Sequence, residues 1–96
     1  MIAKKYNRSI PEYIYALPDN VIPFTEYSVI NQFDRYWWDP KNKRIILKLK
    51  RGNRYKIVHP YYDKWNKMYY VTLIDINNNP IHADYQAIED KFKNEL

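Results

Sequence analysis

Apolar residues recur at two spacings along this chain, and the change of spacing divides it into helical and extended stretches. Ile10, Tyr13, Ile14 and Leu17 recur at helical intervals between Ser9, which can cap a first turn, and Pro18, which stops it. Glu12 stands at the reciprocal capping-box position, and Pro11 is tolerated in a first turn. A second helical run starts at Thr25. Phe24 and Val29 are spaced as a hydrophobic staple around that start. Val29, Ile30, Phe33, Tyr36 and Trp37 continue the period until Asp39-Pro40, where the proline restricts the residue before it. Two short N-terminal helices are therefore predicted.

The pattern then turns extended. Residues 43–50, 54–59 and 68–76 are rich in Ile, Leu, Val and Tyr and are bounded by turn residues, which predicts three strands in an antiparallel meander. Gly52-Asn53 marks the first hairpin. With an odd loop, Ile45, Leu47 and Leu49 share one face with Tyr55 and Ile57, and Arg44, Lys48, Lys50, Arg54 and Lys56 gather on the other with Ile46 and Val58. An even loop would set Lys48 and Lys50 among Tyr55 and Ile57, which favours the odd one. Asn79 can cap a last helix with Pro80 in its first turn. Its stripe, Ile81, Tyr85, Ile88 and Phe92, should lie on the sheet face carrying Ile45, Leu47, Leu49, Tyr55 and Ile57.

The expected architecture is an α+β domain of two helices, a three-stranded meander and a packed C-terminal helix. One domain over residues 9–96 is expected, after a basic arm over 1–8 that holds Lys4, Lys5 and Arg8. No repeat or internal boundary stands out.

Composition sharpens this picture. Ninety-six residues give one small core, and the absence of cysteine leaves it to be held by packing alone. Aromatic residues are 18% of the chain, with eleven Tyr and three Trp, while Gly occurs once. Large rings bury much area at little rotamer cost, and a surplus of Tyr is also what binding surfaces use. The hydrophobic content argues against disorder, and no run has membrane-spanning length or a signal-peptide core, so a cytoplasmic location is expected, in the host cytoplasm if the gene is carried by a phage. The abundance of Asn, Lys, Ile and Tyr resembles the output of an AT-rich genome, as in many bacteria and their phages.

Charge is distributed unevenly. Lys41, Lys43, Arg44, Lys48, Lys50, Arg51, Arg54 and Lys56 are half of the sixteen basic residues, and no Asp or Glu falls among them. The rest of the chain is net acidic, so the overall +5 is local. A single-sign cluster favours an anionic partner, since cations that merely solvate a strand face or guard an edge usually alternate with acids. Arg44, Lys48, Lys50, Arg51, Arg54 and Lys56 are the candidate contacts. Next to them, the connection 59–67 carries Tyr61, Tyr62 and Trp65, which suit stacking on bases or anchoring in a partner's pocket.

Other chemistry finds little support. Asp75-Ile76-Asn77-Asn78-Asn79-Pro80 opens like a calcium loop, but Pro80 stands where glycine is needed and Gln86 where glutamate is needed, so a turn is expected. Two histidines without cysteine make no transition-metal set, and no metal or cofactor is expected. Two serines, scattered carboxylates and a single glycine leave no nucleophile elbow and no phosphate-cradling loop. Arg54-Tyr55-Lys56-Ile57-Val58, followed by Tyr70-Val71-Thr72-Leu73-Ile74, resembles the core strands of RelE-like ribonuclease toxins. That resemblance implies two helices ahead of a basic sheet, and RNA cleavage by Arg, Lys, Tyr or His side chains.

The leading expectation is a small non-enzymatic binding protein, an accessory of a phage or mobile element, that grips nucleic acid through a basic hairpin face and an aromatic loop. The alternatives are an inhibitor that docks on an acidic surface of a host protein, such as a nuclease or defence factor, and the RelE-like toxin. No membrane partner is expected, and the sequence leaves the oligomeric state open.

Overall fold

In a computed structural model, which describes residues 11–27 and 30–95, strands dominate and the one α-helix comes last. The first sheet contains β1 (Tyr13–Ile14), β2 (Ile22–Pro23), β3 (Tyr36–Asp39), β4 (Arg44–Lys48) and β5 (Tyr55–Val58), in the antiparallel order β1-β5-β4-β3-β2. The second contains β6 (Tyr61–Asp63), β7 (Met68–Ile74) and β8 (Pro80–Asp84), in the order β6-β7-β8. Helix α1 (Tyr85–Glu95) closes the chain.

The two expected N-terminal helices are overturned. Tyr13 and Ile14 instead pair with Lys56 and Tyr55 at a sheet edge, and the Ile57 amide donates to the Glu12 carbonyl, 2.9 Å away. The short stretch between Pro11 and Pro18 offers a helix too few bonds to offset its nucleation cost, whereas an edge strand borrows an existing ladder. Ser9 and Ile10 lie outside the described residues, as do the arm over 1–8 and Val29. In the second region, among the described residues, only Phe24–Glu26 turns helically, in a single 3-10 turn. Tyr36-Trp37-Trp38 then runs extended, as aromatic residues favour, with Tyr36 and Trp38 turned to the core. Phe24, Phe33 and Tyr36 are buried as their apolar character demands, but irregular chain and a strand deliver them rather than a helix.

The meander is overturned as well. β5 and β7 belong to different sheets, because the chain leaves the first sheet at His59-Pro60 and β6 opens the second. A proline has no amide to continue a ladder, so the break falls there. The strands that carry the RelE-like resemblance are thus not neighbours in one sheet, and no α-helix precedes them among the described residues.

The main core lies between the sheets and the helix. Phe24, Phe33, Tyr36, Trp38, Ile45, Val71, Leu73, Ile88 and Phe92 form one buried cluster. Trp38 stacks on Phe92 with centroids 5.7 Å apart and planes 9° from parallel. The Tyr36 hydroxyl accepts the Ile74 amide at 2.8 Å, which ties the sheets together. On the opposite face of the first sheet Ile46 and Ile57 are also buried, beside the edge-to-face pair Trp37–Tyr55.

The last helix starts later than its stripe suggested. Pro80 opens edge strand β8, where a missing amide is harmless, and Ile81 stands opposite Leu73. Asp84 is the cap: its Oδ1 accepts the amides of Gln86 at 3.0 Å and Ala87 at 3.4 Å. Ile88 and Phe92, one turn apart, then enter the core.

Three hairpin turns share one device, an aspartate that accepts the amides of the residues after it. Asp39 takes those of Lys41 and Asn42, Asp63 those of Trp65 and Asn66, and Asp75 those of Asn77 and Asn79. Two of the turns repeat a sequence, Asp-x-x-Asn-Lys, and end on a left-handed lysine, Lys43 or Lys67.

Asp39 is 1% exposed and also receives the Asn42 amide nitrogen and the Arg44 guanidinium, each at 3.0 Å. Burial alone would raise its pKa. The hydrogen bonds from Asn42 and Arg44, with the Arg44 charge, more than offset this and hold it below the usual aspartate range. A lowered folded-state pKa stabilises above the unfolded value, and that contribution disappears as pH falls through the folded value. Asp39→Asn should therefore cost about 1–3 kcal/mol at neutral pH. It should also flatten the loss of melting temperature below about pH 4. Thermal melts of both proteins across that range check this, and parallel acid profiles would contradict it.

Candidate nucleic-acid interface

The β4–β5 hairpin decides where the basic residues go, and its register is the even one. Ile45 faces Val58, Ile46 faces Ile57, Leu47 faces Lys56 and Lys48 faces Tyr55. The expected single basic face does not form. Lys48 does share a side with Tyr55 and Ile57, yet its charge is not trapped there. Its stem reaches past the Tyr55 ring, with Nζ 5.7 Å from the centroid, and Nζ donates to the carbonyls of Leu49 at 3.2 Å and Gly52 at 3.3 Å. A lysine that snorkels in this way removes the desolvation cost on which the odd register rested.

The candidate cations separate into four groups. Arg44 sits at the far end of the hairpin, bound to buried Asp39 and 3.8 Å from Glu12, so its charge is already matched. Lys48 is committed to the loop carbonyls. Lys50, Arg51 and Arg54 project from the connecting loop, where Gly52 takes the left-handed φ of 74° that the bend requires. The Arg54 guanidinium lies 4.9 Å above the Tyr13 ring, and Lys50 Nζ reaches Asn78 Oδ1, 3.5 Å away in the turn between β7 and β8. Among the described residues, none of these three meets a carboxylate within 4.0 Å. Lys56 turns to the other side of the sheet and lines a cleft of about 280 Å³ between the sheets, with Tyr36, Tyr61, Thr72 and Ile74.

The aromatic connection is not a loop but most of a hairpin. Tyr61 and Tyr62 lie in β6, opposite Tyr70 and Tyr69, and Trp65 stands in the tight turn at 87% exposure. Asp63 is held by that turn: the Asn66 amide group donates to it at 2.7 Å, and this bond leads the causes that lower its pKa. Strand alternation gives the second sheet two distinct faces. Val71, Leu73 and Ala83 pack into the core, and the Tyr62–Tyr69 pair projects beyond them on the same side. Tyr61, Asp63, Met68, Tyr70, His82 and Asp84 occupy the opposite side, and all of them line a groove of about 1090 Å³. Lys64 and Trp65 of the turn line it too, and Tyr62, Tyr69 and Ala83 reach it from the other face.

Across the groove floor three rings from three adjacent strands touch in sequence. Tyr61 and Tyr70 have centroids 5.8 Å apart, and Tyr70 and His82 5.3 Å. His82 Nδ1 shares a 3.3 Å hydrogen bond with Thr72 Oγ1. Tyr61 lines both the groove and the Lys56 cleft, so the two concavities adjoin. The sequence reading reached Tyr61, Tyr62 and Trp65 but not Tyr70 or His82. The signal for Tyr70 was the Asp63 turn, which folds Met68-Tyr69-Tyr70 back onto Tyr61 and Tyr62, and the Asp75 turn then brings His82 opposite Thr72.

Among the described residues no three His, Asp or Glu side chains converge to hold a metal ion, and no helix is long and apolar enough to cross a membrane. No protein-family model, curated protein or solved structure matches the chain.

Proposed function

We propose that this is a non-enzymatic nucleic-acid-binding protein that grips phosphates with the loop between β4 and β5. The observation that carries this reading is the contrast within the basic stretch. Arg44 is matched by Asp39, whereas Lys50, Arg51 and Arg54 share one exposed loop with no carboxylate in reach among the described residues. Cations left unmatched on a protruding loop gain most from an anionic polymer, because each phosphate contact releases condensed counterions. Arg54 is already braced on the Tyr13 ring, so less side-chain freedom is lost on contact.

An acidic protein surface would satisfy the same charges, and the exposed Trp65 would suit it as an anchor. Nuclease treatment separates the two. Purified protein is expected to shift the anisotropy of labelled nucleic acid at low salt, and its captures from lysate should be lost after nuclease. A nuclease-resistant protein partner, with no nucleic-acid binding at low salt, would replace this function with the inhibitor reading.

A further inference from the structure

Building on that function, we infer that the groove of the second sheet receives the unpaired bases of a single strand whose backbone follows Lys50 and Lys56. Three observations lead there. The first is the ring series itself. Tyr61, Tyr70 and His82 lie in contact across three adjacent strands, on the face that α1 leaves uncovered. Buried tyrosines would be explained by packing, but Tyr61 is 52% exposed and His82 is exposed as well. Flat rings open to solvent on a sheet offer each base a π-face, whatever its sequence.

The second observation is continuity with positive charge. Tyr61 borders the cleft that holds Lys56 beside Thr72 and Ile74, and Lys50 reaches Asn78 in the turn that follows β7. Both ammonium groups therefore lie toward the C-terminal end of β7, whose first half carries Tyr70. A nucleic-acid backbone running beside β7 passes both cations while its bases turn toward the rings.

The third observation gives the strand an orientation. Asp63 and Asp84 lie on the same face as Tyr70, one committed to the turn amides and the other to the first amides of α1. Their charge is partly compensated by those amides but still repels phosphate. Phosphates are thus kept away from the Asp63 and Asp84 carboxylates and left to Lys56 at one side of the groove and Lys64 in the turn. A duplex has its bases stacked on one another and cannot offer a free face, so the groove selects single strands.

The test uses fluorescence anisotropy with a labelled homopyrimidine single strand and a duplex of equal length, titrated at several salt concentrations. Tyr61→Ala and His82→Ala should each weaken single-strand binding about tenfold, with duplex binding and the single-strand salt slope unchanged. Tyr61→Phe keeps the ring and should bind like the wild type. Retained duplex binding also shows that the alanine variants are folded. If single strand and duplex bind alike, and Tyr61→Ala affects neither, the groove takes no bases while the loop's function stands. If neither polymer binds the wild-type protein at low salt, both ideas fall.

Discussion

Ile88→Asp is expected to abolish the cooperative unfolding transition. Ile88 is 6% exposed and belongs to the cluster that joins Trp38, Val71, Leu73 and Phe92. A carboxylate placed there meets no cation in that cluster, and it must stay charged at a cost of several kcal/mol or bind a proton at a similar cost. A domain of this size has about 5–10 kcal/mol of stability in all. It contains no cysteine, so no disulfide limits the loss. Near-ultraviolet circular dichroism should lose the signal of the stacked Trp38–Phe92 pair. Ala87→Asp is the control, one residue earlier on the exposed side of the helix, and should shift stability by less than about 0.5 kcal/mol. A cooperative melt close to wild type for Ile88→Asp would show that α1 does not close the core.

That the helix would bury Ile88 and Phe92 was legible, because an i, i+4 apolar pair is a local signal that survives an error in the helix start. The start itself was not. Ile81 sits four residues before Tyr85 and extends the stripe, although its role is to face Leu73 across β8. Two N-terminal helices were read from the same kind of coincidence. Tyr13 and Ile14 meet a helical period as well as a strand's, and only their pairing with Lys56 and Tyr55 decides between them. The turns were more informative than the periods. Asp39-Pro40-Lys41-Asn42-Lys43 and Asp63-Lys64-Trp65-Asn66-Lys67 are copies of one hairpin turn, each following a pair of aromatic residues. Read as a repeat, they place β3 against β4 and β6 against β7, and the fold becomes mostly β.

For the candidate site, charge was legible and direction was not. The acid-free stretch located the basic hairpin correctly, but the face assignment assumed that lysine would be expelled from any side that carries Tyr55 and Ile57. Lys48 shows why the assumption fails, since a four-carbon stem can lie along a ring while its ammonium finds carbonyls beyond it. Arg44 shows a different gap. Its partner Asp39 lies just outside the acid-free stretch in sequence and directly opposite in the β3–β4 pairing. Sequence distance therefore hid a neutralised pair inside an apparently uniform charge cluster.

Those distinctions set the second prediction, that the salt dependence of binding depends on the loop and not on the whole stretch. Replacing Lys50, Arg51 and Arg54 together with glutamine should flatten the slope of log affinity against log salt by about two to three units, at about 0.7–0.9 per phosphate contact. Near 0.1 M salt that amounts to a loss of about two orders of magnitude in affinity. Lys48 is left in place, because its bonds to Leu49 and Gly52 hold the loop and its removal would confound shape with charge. Arg44→Gln is the decisive contrast. It removes one formal charge, as each of the loop substitutions does, yet it should leave the slope unchanged and lower the melting temperature, since buried Asp39 loses its cation. Lys56→Gln tests the cleft and should lower the slope by about 0.7 with single strands alone. Anisotropy titrations of these variants on single strand and duplex measure all three effects. An equal change of slope for Arg44→Gln and for each loop cation would show that binding responds to net charge alone, with no part for the geometry of the loop.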